Sequence, residues 1–197
     1  MTRQIRDRLI YGGDEYHLSE EILEDYFKQN PNIKPKSEIL CTALWRGYIA
    51  TFEIKENQMF VQKLEMLEDT GLNLKITREL FPINNKFDWY TGLIRIDDYR
   101  GEWDDENEDA IFEYLEIYKG DLVQKRTMNF EELEIFKEYQ FEYFKTTEEY
   151  KKAYSLWKNN NPKMDVTEID YYIYKGLLNR YSKEIFDNET VYNNGHK

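Results

Sequence analysis

The chain has 197 residues, with 39 acidic side chains against 27 basic ones and a formal net charge of −12 at pH 7. Aromatic residues make up 16% of it, enough ring area for a core, so wholesale disorder is excluded despite a mean hydropathy of −0.84. The acidic balance argues against nucleic-acid binding, which needs clustered Lys and Arg, and the single cysteine, Cys41, excludes an intramolecular disulfide framework.

Arg8-Leu9-Ile10-Tyr11 and Glu15-Tyr16-His17-Leu18 flank Gly12-Gly13, which predicts a hairpin, because glycine supplies the positive φ of a tight turn. Ser19 is placed to cap a helix through Phe27, and Pro31 and Pro35 close it. The strongest strand signal covers residues 44–54. Its even positions Leu44, Tyr48, Ala50, Phe52 and Ile54 form one apolar face. A turn at Glu56-Asn57 leads into residues 58–66, where Phe60, Leu64 and Met66 are expected on one face. Residues 77–81 read as a short helix and residues 87–96 as another strand. A third hairpin pairs residues 112–118 with 122–127 across Gly120-Asp121.

Helices then take over. Asn129 and Glu132 form a capping box ahead of Leu133, Phe136, Gln140 and Phe144. Thr146 and Glu149 repeat the pattern, so the helix is expected to restart there and run to Trp157. Asp165 and Glu168 cap a last helix with Ile169, Tyr172, Ile173, Gly176 and Leu177 at helical spacing. Strands followed by helices predict a single α+β domain, an antiparallel sheet of consecutive hairpins with C-terminal helices packed on one face or end. Residues 1–128 are mainly sheet, 129–187 the helical portion and 188–197 a flexible tail.

The chemistry-bearing residues are few. One Cys and two distant histidines, His17 and His196, cannot supply a zinc site. Neither a nucleophilic triad nor a glycine-rich phosphate loop is present. The reading is therefore no catalytic residue, no metal and no cofactor, with His17 and Cys41 structural. No apolar run approaches the roughly 18 residues that span a bilayer. The N-terminal residues carry no signal-peptide pattern, so no membrane partner and a cytoplasmic location are expected.

Ten carboxylates fall between residues 97 and 116: Asp97, Asp98, Glu102, Asp104, Asp105, Glu106, Glu108, Asp109, Glu113 and Glu116, balanced only by Arg100. Asp105, Asn107, Asp109 and Glu116 match four positions of a calcium loop. Ala110 stands where its turn glycine is required, and the flanks read as strand. The run is either a solvated loop or a docking site for a basic partner, through Asp97, Asp98, Glu102, Asp104, Asp105, Glu106, Glu108 and Asp109. A second candidate is a pocket for an anionic or planar ligand, lined by Trp45, Arg46, Tyr48, Trp89 and Arg95 if their strands are neighbours. The alternative is that the two tryptophans pack in the core or at an edge while the arginines reach solvent or pair with local acids, and Arg46 is the residue that packing explains least. Tyr139, Tyr143, Tyr150, Tyr154, Tyr171, Tyr172, Tyr174 and Tyr181 crowd the helical third, either as an interface or as core filling.

The stretch Asp7-Arg8-Leu9-Ile10-Tyr11-x-Gly13-x-Glu15-Tyr16, followed by residues 44–54, resembles a group of uncharacterised bacterial proteins that open with this hairpin and carry a similar Trp-Arg-Gly strand. The resemblance covers about a third of the chain and implies a bacterial origin and a single compact unit. It carries no activity. Small acidic bacterial proteins of this build look like immunity proteins of toxin systems. The expected function is a non-enzymatic protein that binds a basic protein partner such as a toxin, as an immunity protein or antitoxin. The alternative is a small-molecule-binding or enzymatic domain built on the Trp/Arg group.

Overall fold

A computed structural model of the chain describes residues 4–36, 41–67, 77–81, 85–96 and 110–176. The chain divides into two compact units. The first is Met1–Asp98 with Glu113–Arg126, and the second is Tyr99–Phe112 with Thr127–Lys197.

The first unit carries the sheet. β1 (Arg8–Tyr11) and β2 (Asp14–His17) form the expected hairpin about Gly12 and Gly13. β3 (Tyr48–Lys55) and β4 (Gln58–Met66) form the second, turning through Glu56 and Asn57, whose φ values of 52° and 59° give the twist that a two-residue hairpin favours. β5 (Gly92–Arg95) pairs antiparallel with β6 (Phe112–Tyr118), and β7 (Asp121–Met128) follows through Lys119-Gly120. The strand order is β2-β1-β3-β4-β7-β6-β5. The fold is α+β, with a mostly antiparallel sheet and the C-terminal helices following the strands. One pair, β1 with β3, is parallel, with Arg8 opposite Thr51. A parallel pair needs a crossover, supplied here by β2 and α1 (Ile22–Gln29) between the two strands.

The expected face of β3 is buried, since Leu44, Tyr48, Ala50 and Phe52 are all 0% exposed. The strand itself starts only at Tyr48, because residues 41–47 turn repeatedly and Gly47 has φ 86°. β4 differs from its expected pattern. Met59 and Val61 point into the core together with Leu64 and Met66, while Phe60 is only partly buried. The cause is a bulge: Thr51 pairs with Lys63 and Phe52 with Val61, leaving Gln62 as an extra residue. One extra residue reverses side-chain parity, which a strict period of two cannot anticipate.

α1 starts at Ile22 after Glu21, which makes no side-chain cap. Ser19 does not cap it, and its hydroxyl donates to Glu20 Oε1 at 2.9 Å instead. The helix buries Ile22, Leu23 and Phe27 over the sheet, where Phe27 meets Tyr48 edge to face and Tyr26 meets Phe81, Phe87 and Trp89. Residues 77–80 are helical as expected, and the strand expected over 87–96 is regular only in β5.

The second unit contains α2 (Phe130–Phe144), α3 (Glu148–Asn160) and α4 (Val166–Lys175). Both expected capping boxes form, Asn129 with Glu132 and Asp165 with Glu168. The restart occurs one residue later than expected, at Thr147, which accepts from Tyr150 N and donates to Phe144 O at 2.8 Å. Replacing Thr147 by Ala is expected to lower stability by about 1 kcal/mol, measured by thermal melting. An unchanged melting temperature would show that the cap is dispensable.

The tyrosines of this unit differ in burial. Tyr150 and Tyr154 pack with Trp157 around Phe144, Ile169 and Ile173. Burial, and a 2.7 Å hydrogen bond to Asp170, push the Tyr150 hydroxyl up to about 12. Tyr139, Tyr171 and Tyr172 are exposed. Tyr181 lies outside the described residues.

Candidate functional site

Arg46 follows directly on an exposed residue yet is itself buried, and a buried guanidinium must find acceptors. Nη2 donates to Asp7 Oδ1 at 2.7 Å and to the Ile5 carbonyl at 2.8 Å, and Nη1 donates to Glu21 Oε1 at 3.1 Å. Its charge lies 5.6 Å from the centre of the Tyr48 ring. The Tyr48 hydroxyl donates to Glu24, which also holds Lys34 at 2.8 Å. Asp7 Oδ1 further accepts from the Ala50 amide at 2.7 Å, tying the N-terminal segment to β3. Burial raises the Asp7 carboxyl above its ordinary value and outweighs the opposing pull of Arg46 and the Ala50 amide. Burial acts the same way on Glu20.

This cluster joins Ile5, Asp7, α1 and β3 and engages both terminal nitrogens of Arg46 internally, while its Nε and Asp7 Oδ2 are buried without a hydrogen-bond partner. Of the five residues expected to form a ligand pocket, it brings Arg46 and Tyr48 together. Trp45 points away and is 75% exposed. Trp89 packs beside Tyr26 and Phe87. Arg95 sits on β5, with β4, β7 and β6 between it and β3 in the sheet order, so the strands are not neighbours. A separate open depression of about 350 Å³ on β3 and β4, lined by Glu53, Lys55, Phe60, Gln62 and Asn85 among others, includes none of the five.

Asp7 and Glu21 are the partners of Arg46 that the sequence did not single out. A buried arginine demands a counter-charge, but the sequence offers 39 acids, and nothing local links position 46 to position 7.

The loop that carries Trp45 is held firmly. Ile5 N donates to Ala43 O at 2.8 Å, Gln4 Nε2 to Thr42 O at 2.8 Å and Trp45 N to Gln4 Oε1 at 3.1 Å. Within the loop, Leu44 N donates to Cys41 O and Gly47 N to Leu44 O. Leu44 and Arg46 are buried on either side of the exposed indole. A tryptophan side chain carries roughly 200 Å², so keeping three-quarters of it in water forgoes about 3–4 kcal/mol of burial.

Of the ten acids in the acidic run, two lie among the described residues. Its last two members are paired within the hairpin: Glu113 with Lys125 at 2.5 Å, and the buried Glu116 with Arg126 at 2.6 Å and Gln124 at 2.7 Å. Asp97, Asp98, Glu102, Asp104, Asp105, Glu106, Glu108 and Asp109 lie outside the described residues, as do three of the four calcium-loop matches. Among the described residues, no cluster of His, Cys, Asp and Glu could hold a metal ion. No helix among them is long and apolar enough to cross a membrane.

Comparison of the chain with protein-family models finds no match, and the same holds for curated proteins and for solved structures.

Proposed function

We propose that the chain is a non-enzymatic protein-binding protein, an immunity protein or antitoxin that neutralises a basic effector. The observation that carries this reading is the charge distribution. Residues 97–109 hold eight carboxylates and one arginine, a net −7 out of the chain's −12. Residues 97–109 thus carry more than half of the chain's formal net charge within a short stretch of sequence. Such a concentration of charge raises encounter rates with a cationic surface more than it changes the lifetime of the complex.

The test is affinity capture from source cells, identification of a stoichiometric partner, and stopped-flow association at low and high salt. Converting the eight carboxylates to their amides is expected to slow association at low salt by about 10–100-fold, with dissociation nearly unchanged. The absence of a stoichiometric partner, or association equally fast at all ionic strengths, would overturn the reading.

A further inference from the structure

We propose that Trp45 is a preorganised anchor that inserts into an apolar, indole-sized pocket on the basic protein partner. This rests on the protein-binding reading above and assigns it a contact point outside the acidic segment. Three observations converge on it. The indole is 75% exposed although its neighbours Leu44 and Arg46 are both buried, so the backbone on either side is anchored while the ring is left outside. That backbone is fixed by hydrogen bonds to Gln4 and Ile5 and by the Arg46 cluster, so the ring is presented from a rigid support. Ile5, whose amide bonds to the same loop, is itself a 37% exposed apolar residue.

A large aromatic ring on a rigid support loses little freedom on binding, and tryptophan is the residue most often found to dominate an interface. Its indole N–H supplies one directional hydrogen bond inside the pocket. The partner's charge follows from the acidic stretch of residues 97–109, because the acids at this edge are already matched: Glu21 is bound to Arg46, Glu24 to Lys34 and Asp25 to Lys28. A single indole is a weak membrane anchor, which favours a protein pocket over a lipid surface.

The test uses the full chain carrying photo-reactive benzoylphenylalanine in place of Trp45, of Trp103 within the acidic segment, or of the exposed Lys55 as control, irradiated in source cells. The expected result is one adduct from position 45 and none from position 55. The protein identified in it should bind Trp45→Ala about 30-fold more weakly than wild type and Trp45→Phe in between, with the melting temperature of each variant unchanged. An adduct from position 103 without one from position 45, or Trp45→Ala binding within about threefold of wild type, overturns the anchor and leaves the protein-binding reading standing. No adduct from either position overturns both. Trp45-dependent co-sedimentation with phosphatidylglycerol vesicles would assign the ring to a lipid surface and overturn the protein partner.

Discussion

Asp7→Ala is expected to lower unfolding stability in urea by about 3–5 kcal/mol, a cost set by the buried charge it strands. Arg46 would keep Glu21 and the Ile5 carbonyl but lose its shortest partner, and the Ala50 amide would lose its acceptor inside the core. Asp7→Asn keeps an oxygen for both donors and is expected to cost less, about 2 kcal/mol. The double variant Asp7→Leu with Arg46→Met removes both charges together. It should recover most of the loss, because a buried ion pair gains little net stability over apolar packing. A loss of less than about 1 kcal/mol for Asp7→Ala would show that the cluster contributes nothing to the fold.

The same residue predicts a pH dependence. The folded Asp7 carboxyl titrates above its ordinary value of 3.8 because burial dominates. Between 3.8 and that raised value the native protein holds a proton that the unfolded chain has released. The stability Asp7 contributes is therefore complete below 3.8 and is lost as pH rises through the raised value. Measured by urea titration, the advantage of wild type over Asp7→Asn should shrink from about pH 3 to pH 7. An advantage that grows over that range would mean that the Arg46 attraction outweighs burial.

Gly120→Ala is expected to cost about 2–4 kcal/mol. Gly120 has φ 77°, and a Cβ there would lie 2.5 Å from the Phe87 carbonyl oxygen and 2.8 Å from the Asp88 Cα. Neither is the movable end of a side chain. Its own backbone also bonds to Tyr90 O at 2.9 Å and accepts from Met59 N at 2.7 Å, so the β6–β7 turn cannot back away without breaking its attachment to β4. Gly12 provides the contrast. Its φ of 65° is equally glycine-like, but open space surrounds it, so Gly12→Ala should cost only about 1 kcal/mol. Equal melting temperatures for the two variants would remove the steric part of the argument.

Features that depend on neighbours in sequence were legible in it. The glycine turn of the first hairpin, the Glu56-Asn57 turn, both capping boxes and the buried face of β3 follow from local periodicity and turn chemistry, and all are present. What was not legible depends on long-range pairing. The Gln62 bulge exists only because β4 must match β3, and it moved Phe60 off the core face. Position 46 stood out in the sequence as a cation in an apolar strand. Whether it met a ligand or an internal acid was decided by the crossover that returns residues 4–7 to β3. The turn at Gly120 was expected one residue later, at Gly120-Asp121, because the local signal fits both placements.

The parallel pairing of β1 with β3 also sets an order of events. β3 and β4 close across two residues, whereas β1 reaches β3 only after residues 12–47 have been looped out. That larger loop costs about 2–3 kcal/mol more chain entropy, so the β3–β4 hairpin assembles first and the N-terminal segment is added to it. Gln4 and Ile5, which fix the Trp45 loop, arrive with that late segment. The indole is therefore held in its presenting position only once the N-terminus has docked. A chain whose residues 4–7 have not docked lacks both the Gln4 and the Ile5 hydrogen bonds to this loop.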